Sequence, residues 1–521
     1  MRKEEQVIND YGSSSSRYER LKTKRTSLEG TWRDCSKLTL PYVYPDEHRD
    51  GTQEYSTPYN SIGPASVNNL ASKLLMALLP ASGNFFRLIP HSEVVAKMKP
   101  QDVAALDKEL SKVERGITTL IDTQALRVPL YEALKLLIIT GNVMLYKVKG
   151  GGMKVFNPYE YVVSRDYVGN IVEICIREKI AKSTLPAEIQ ELLEDNDGDE
   201  YKEDQDEVFI YTSIVRSAEN KFTSYQEVAG TVVPGTVVTY KEDEMPYMVL
   251  RWTNTFNEAY GRGLVEQYLG DLRSLEGLSK IMLDGSGIAS KFVFGLRPAA
   301  STKLEDLTAA RNGDIILGDL ERDITILQTN KAPDLQVPYQ LLGQLESRLN
   351  RAFLNVQGGI RDSERTTAVE VRATIAELEA ALGGTYSVLA QEFQLPLLTL
   401  LLKEVNPKVL DITIPSIVTG ASAISRERDL QNLTYMVQSM AQLGPEVLMQ
   451  SLKVDGYLRA VATALGIDPD AVVKSPEEKQ AEQQQAMMQQ QAMMQQQQEM
   501  ALQQQNNQGR NQQQVEAAKR G

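Results

Sequence analysis

Residues 355–372 read NVQGGIRDSERTTAVEVR, and two glycines and six charged residues there interrupt the strongest helical stretch of the chain. Upstream, Leu342, Leu345, Leu349 and Phe353 recur at i, i+3, i+7 and i+11, the spacing of one helix face. Downstream, Thr367 and Glu370 form a T-x-x-E capping box that starts a new helix, with Val371, Ile375, Leu378 and Leu382 along one face. A chain patterned this way must place two helices around a polar, flexible connection. Gly358-Gly359 supplies a hinge, because glycine reaches backbone conformations closed to other residues. Two readings fit: a surface turn, or a working part that moves.

The texture on either side narrows the fold class to α+β, mainly helical. One helix is expected to end before Pro41, with Tyr18, Leu21, Leu28, Trp32 and Cys35 near helical spacing; others are expected over 66–80, 102–124 and 128–148. From Met153 the residues alternate as strands, with a turn at Gly169-Asn170 and further strands through 247–254. Helical period returns over 260–291, where Gly285 and Gly287 loosen the end. A compact β-α-β-β insert follows: strand KFVFGL (291–296), helix 303–312, strand GDIILG (313–318) and strand DITILQ (323–328). Helix resumes after Pro338, and Gly383-Gly384 with Pro396 is expected to bend or break the long helix that begins at Thr367. Residues 425–466 carry two helical patterns around Gly444-Pro445. From Ser475 glutamine dominates, a composition common in disordered tracts that also contains good helix formers.

Composition excludes several classes of function. At 521 residues the chain is expected to form more than one structural unit, and its 42% hydrophobic and 24% charged residues are those of an ordinary folded protein. The net charge of −13 argues against a tight grip on phosphate backbones. Cys35 and Cys175 lie far apart without metal spacing, which points to a reducing compartment and no disulfide framework. The N-terminal MRKEEQVIND lacks the apolar core of a secretory signal, and the greasiest stretches, 134–140 and 395–402, are too short to cross a bilayer. A soluble intracellular protein with no membrane insertion is expected.

Catalytic signatures are missing. His48 and His91 belong to no HExxH motif or triad, and Gly150-Gly151-Gly152 runs into MKVF without a Walker lysine. The YGRG at 260–263 reads as a loop before a helix. In the acidic stretch 194–207, Asp195, Asp197 and Asp199 alternate, but Glu200 stands where a calcium loop needs glycine and Asp206 where it prefers glutamate. A solvated loop is the better reading. Arg2, Lys3, Arg17, Arg20, Lys22, Lys24 and Arg25 make a mildly basic start, read as surface solvation. No enzyme, cofactor or metal site is expected.

The order of elements, together with NNLASKLLMALLP, LYEALKLLIITGNVMLY, YEYVVSRD, YGRGLVEQYLGDLRSLEGL and ERTTAVEVRATIAELEAALGGTYSVLAQEFQLPLL, resembles one known family. It is the portal, or head-to-tail connector, of tailed double-stranded DNA phages, nearest to those of short-tailed, T-seven-type podophages. The resemblance covers about Tyr18 to Asp468 and leaves out the glutamine-rich tail. It implies the phage portal fold of wing, stem, clip and crown, with twelve subunits in a ring around a central channel.

On that resemblance, 1–262 is the wing, 263–290 and 339–355 are stem helices, and 291–338 is the clip. Residues 356–366 are the tunnel loop, 367–404 the long kinked helix, 405–474 the crown, and 475–521 a tail or barrel extension. Gly358, Gly359, Arg361, Asp362, Ser363, Glu364 and Arg365 would face passing DNA, the two arginines offset by two acids so that the loop is no electrostatic clamp. Lys291, Arg297, Lys303, Arg311, Asp314, Asp319 and Arg322 would present the clip for docking. The implied partners are further copies of the chain, the terminase large subunit, a tail adaptor or tail tube protein, the major capsid protein, scaffolding and internal core proteins, and double-stranded DNA held without sequence preference. The implied location is the capsid vertex of a virion assembled in bacterial cytoplasm. A ring-forming tail adaptor is the alternative. The helix–insert–helix–loop–long-helix order favours the portal, and a terminase or nuclease would need a Walker lysine or clustered carboxylates.

Overall fold

A computed structural model of the chain describes residues 12–45, 54–80, 85–190, 207–217, 221–255, 258–289, 293–298, 301, 303–311, 314, 315, 317, 319–327, 332–355, 381–417, 435–439, 456–458, 461, 484, 487 and 488. The chain divides into two compact units, Met1–Ala421 and Ser422–Gly521. In the second, the described residues include a helical stretch at 435–439 with Tyr435 and Met436 exposed.

The first unit opens with helices α1 (Ser14–Lys37) and α2 (Ile62–Leu78), strand β1 (Phe86–Pro90), and helices α3 (Ser92–Ala96), α4 (Pro100–Thr123) and α5 (Arg127–Thr140). Strands β2 (Asn142–Lys147), β3 (Met153–Phe156), β4 (Tyr161–Arg165), β5 (Ile171–Ala181), β6 (Glu207–Arg216), β7 (Lys221–Val228), β8 (Thr231–Val232), β9 (Val238–Lys241) and β10 (Tyr247–Arg251) follow. Then come α6 (Leu264–Gln267), α7 (Leu269–Ala289), β11 (Val293–Leu296), α8 (Leu304–Ala309), α9 (Leu320–Asp323), β12 (Ile324–Leu327) and α10 (Ala332–Ala352). Helical residues 381–389 pass through a π turn (Ala390–Gln394) into α11 (Leu395–Val405), and β13 (Thr413–Ile417) closes the unit.

The long meander β4–β8, with β9 on β7, forms a six-stranded antiparallel sheet. Helix α1 crosses it and buries Tyr18 and Leu21 against Val162 and Cys175. The basic start of the chain is a solvated face only in part: Arg20 and Lys24 are exposed, whereas Arg17 and Arg25 turn inward. Arg25 is 0% exposed and donates to the carbonyls of Pro158 (2.5 Å) and Tyr161 (2.7 Å), while Arg17 Nε meets Glu173 at 2.5 Å. Glu227 on β7 accepts from the Ser14 amide at 2.7 Å and from Ser13 Oγ at 2.8 Å, so a distant carboxylate closes the start of α1.

Helix α5 ends earlier than its apolar pattern predicts. Gly141 takes φ +79°, a left-handed stop, and NVMLYK continues as the central strand of the sheet β10-β2-β3. The YGRG stretch has a definite role here. Asn142 Nδ2 donates to Gly261 O at 2.8 Å, and the Gly261 amide donates to Asn142 Oδ1 at 2.7 Å, which draws 261–263 against the end of α5. A Cβ on Gly141 would lie 2.4 Å from the Gly263 nitrogen.

Two other expectations shift. Pro338 lies inside α10, which starts at Ala332. Gly383-Gly384 does not break the helix; the irregularity is the π turn at 390–394, immediately before Pro396 in the first turn of α11. A proline has no N–H and crowds the carbonyl four residues back, and the wider π turn relieves that crowding. Among the described residues no helix is long and apolar enough to cross a membrane.

Candidate functional site

Helices α7 and α10 pack antiparallel, because Tyr268 meets Phe353 (ring centroids 5.7 Å apart) while Asp271 pairs with Arg348 at 3.2 Å. Their apolar faces, including Leu272, Leu275, Leu345, Leu349 and Phe353, join the main core. Farther along, Asn60 Nδ2 bridges Ser279 Oγ and Glu346 Oε1 at 3.3 Å each. The pair forms a double strut whose far ends lead into the insert.

In the insert β11 pairs antiparallel with β12, Val293 opposite Leu327. The GDIILG stretch is not a strand at its described positions 314, 315 and 317, and among the described residues of the insert β11 and β12 are the strands that pair. Ile315 is 95% and Leu317 88% exposed, an apolar pair at strand spacing with no strand beside it among the described residues. Asp323, which sequence reasoning passed over, organises the turn. It accepts from the amide and hydroxyl of Ser301 at 2.7 Å each, and its carbonyl takes the Arg297 amide at 3.1 Å. Asp319 donates its amide to Ser301 Oγ (3.3 Å), and Arg322 Nε lies 3.9 Å from Asp319. The Arg311 amide donates to Asp314 at 2.7 Å. Arg297, Lys303, Arg311, Asp314, Asp319 and Arg322 are all exposed. Lys291 lies outside the described residues.

The seven residues Gly358, Gly359, Arg361, Asp362, Ser363, Glu364 and Arg365 also lie outside them, as do the Thr367–Glu370 capping box, the acidic stretch 194–206, Gly444-Pro445 and most of the glutamine-rich tail. Both approaches to residues 356–380 are described, and both lead to α2. On entry, Lys73 Nζ donates to the Leu354 carbonyl at 2.6 Å, Asn69 Nδ2 to Asn355 Oδ1 at 2.6 Å, and Asn355 Nδ2 to Ser66 Oγ at 2.7 Å. On exit, Tyr386 Oη donates to Ala77 O and Gln394 Nε2 to Leu78 O, each at 2.9 Å. Sequence reasoning missed these residues because polar side chains on an apolar helix read as its wet face.

A buried charge cluster ties the exit to the β-region. Glu392, on the π turn, accepts from Arg251 and stands 3.6 Å from Arg165. Burial pulls the Arg165 guanidinium down to about 10 against the opposing field of Glu392, with Arg251 pushing the same way as burial. Beside the cluster lies a cleft of about 610 Å³. Its lining arginines are committed within the chain, Arg165 and Arg251 to Glu392 and Arg262 to Glu258 and Glu266. Among the described residues no group of three or more His, Cys, Asp or Glu is placed to hold a metal ion.

Comparison with known proteins follows the same frame. The family model described as bacteriophage head to tail connecting protein matches residues 12–473. The chain is 37% identical over 480 residues to the portal protein of Escherichia phage T7, covering 89% of this chain and 88% of that protein. To the portal protein of Enterobacteria phage T3 it is 36% identical over 480 residues, with coverage of 89% and 88%. To that of Pseudomonas phage phiKMV it is 32% identical over 485 residues, covering 88% and 92%.

Proposed function

The chain belongs to the bacteriophage head-to-tail connecting family and has the role of a portal protein, and we propose that it acts as a ring of twelve copies around a channel for double-stranded DNA. The observation that carries this reading is the antiparallel pair α7 and α10, with an exposed insert at one end and the approach to 356–366 at the other. Ring closure needs two different faces on each subunit, since a heterologous contact repeats around an axis until it closes.

In this reading 1–262 is the wing toward the shell, 263–290 and 339–355 the stem, 291–338 the clip, 356–366 the tunnel loop, 367–404 the kinked helix, and 405–474 the crown. The clip seats the terminase large subunit and later the tail adaptor; the major capsid, scaffolding and core proteins surround the rest at one virion vertex. The terminase hydrolyses ATP and this chain conducts. A net charge of −13 per copy suits a conduit. Duplex DNA binds basic surfaces through many released counterions, so an acidic or mixed wall keeps contacts weak and sliding easy. Negative-stain images of the purified protein test the proposal. A twelve-fold ring with a central hole is expected; a monomer that hydrolyses ATP overturns it.

A further inference from the structure

We infer that Ser66, Asn69 and Lys73 of α2, closing on Leu354 and Asn355, form a positioning socket that sets the path of the chain into residues 356–366. The inference rests on reading 356–366 as the channel loop. The three α2 residues stand at i, i+3 and i+7, so they share one helix face. Toward that face come the Leu354 carbonyl and the Asn355 amide group, at 2.6 to 2.7 Å from their partners. Asn355 is also fixed from behind, its N–H donating to Asn350 O at 2.7 Å.

Leu354 itself is strained. Its φ of +57° places a leucine in the left-handed region that glycine usually fills where a helix ends, and the Leu354 and Asn355 amides close that end on the Arg351 and Asn350 carbonyls. Such conformations persist where the surroundings over-determine them, and they gather at working segments. An ordinary surface turn would place glycine at that position. Here the glycines, Gly358 and Gly359, come four and five residues later. Glycine therefore enters the sequence only after the anchored residues.

The far approach is moored to the same helix. The last carbonyls of a helix have no partner within it. In α2 those of Ala77 and Leu78 are taken by Tyr386 and Gln394, and that of Leu79 just beyond by Arg127 Nε at 3.0 Å. A 17-residue helix therefore holds the chain on both sides of 356–380. The helix pair beside the entry ties has its own apolar packing at Leu272, Leu275, Leu345 and Leu349 and its own Asp271–Arg348 ion pair, so cutting an entry tie should loosen the way into 356–366 without dissolving the strut.

Full-length rings carrying Lys73→Met or Asn355→Ala, with Lys73→Arg as rescue and deletion of 358–365 as reference, test this. The readouts are hydrogen exchange at 354–358, ring symmetry, and nuclease-protected DNA after packaging by phage lacking its own copy of this gene. Expected are intact rings, exchange faster by about tenfold, and protected DNA reduced toward the level of the deletion, with Lys73→Arg recovering part of it. Wild-type exchange and packaging in both point variants, with the deletion impaired, overturns the socket alone. Normal packaging by the deletion overturns the channel-loop reading, and the socket with it. Failure of both point variants to form rings makes these ties structural and also overturns the inference.

Discussion

Arg251 gives Glu392 three hydrogen bonds, from its amide at 2.8 Å, its Nε at 2.9 Å and its Nη2 at 2.5 Å. The pair joins the last strand of the β-region to the π turn of the long helix, and Arg165 shares the same carboxylate. Two buried cations on one anion make that anion hard to lose. Glu392→Ala is expected to lower stability by about 3 kcal/mol, the usual cost of stripping one partner from a buried pair. Chemical denaturation measures it. A double-mutant cycle with Arg251→Met should show strong coupling, and additive effects would contradict the pairing.

Glu160 yields a pH prediction of definite sign. Burial raises its carboxyl above the ordinary value, although the Asn157 amide donates to it at 2.6 Å. A carboxyl raised in the folded state contributes stability below its unfolded value and loses it as pH climbs through the folded one. Glu160→Gln keeps an acceptor for Asn157 and removes the desolvated charge. The variant is expected to be at least as stable as the parent at neutral pH, with any gain vanishing in acid. A loss at neutral pH, measured by denaturant midpoints across pH, would show the ionised form to be the favoured one.

Much of the first unit was legible because periodicity and caps are local. The helices Ser14–Lys37, Ile62–Leu78 and Pro100–Thr123, and the alternation of the strands from β3 to β10, follow from residues within a few positions of each other. What was not legible depends on distant neighbours. Strand β13 pairs with β1 across more than three hundred residues, Thr413 opposite Pro90, and nothing local marks it. NVMLYK reads as more helix until Gly141 is known to be left-handed. The entry ties on Leu354 and Asn355 escape any pattern because Ser66, Asn69 and Lys73 announce only a polar face. Arg25 shows the reverse error: a basic side chain among basic neighbours suggested water, and the carbonyls of Pro158 and Tyr161 claimed it.

The contact between the end of α5 and 261–263 should tolerate no side chain. A Cβ on Gly141 would meet the Gly263 nitrogen at 2.4 Å and the Arg262 carbonyl carbon at 2.5 Å, on a backbone at φ +79°. One on Gly263 would meet the Ile139 carbonyl oxygen at 2.6 Å. Backbone cannot step aside as a flexible side chain does. Gly141→Ala is expected to cost about 3 kcal/mol from strain and overlap together. Gly150→Ala, also at positive φ but in open space, should cost about 1 kcal/mol. Equal denaturation midpoints for the two variants would show that close approach adds nothing.

Ile315 and Leu317 make the last prediction, because water is a poor neighbour for both and the described part of their own chain covers neither. Their i, i+2 spacing suits a strand, and a strand needs an edge. If the insert is a clip, that edge or a docked partner lies on another chain. Leu317→Asp and Ile315→Asp should then leave the unfolding midpoint of a dissociated subunit within about 0.5 kcal/mol of the parent, as exposed substitutions do. The same changes should reduce the yield of closed rings, or the binding of terminase to rings that form, because a charge must be buried where an apolar side chain was expected. Size-exclusion chromatography and terminase pull-down separate those two losses. Rings formed at parental yield that also bind terminase normally would leave Ile315 and Leu317 as solvent-facing residues of a simple turn.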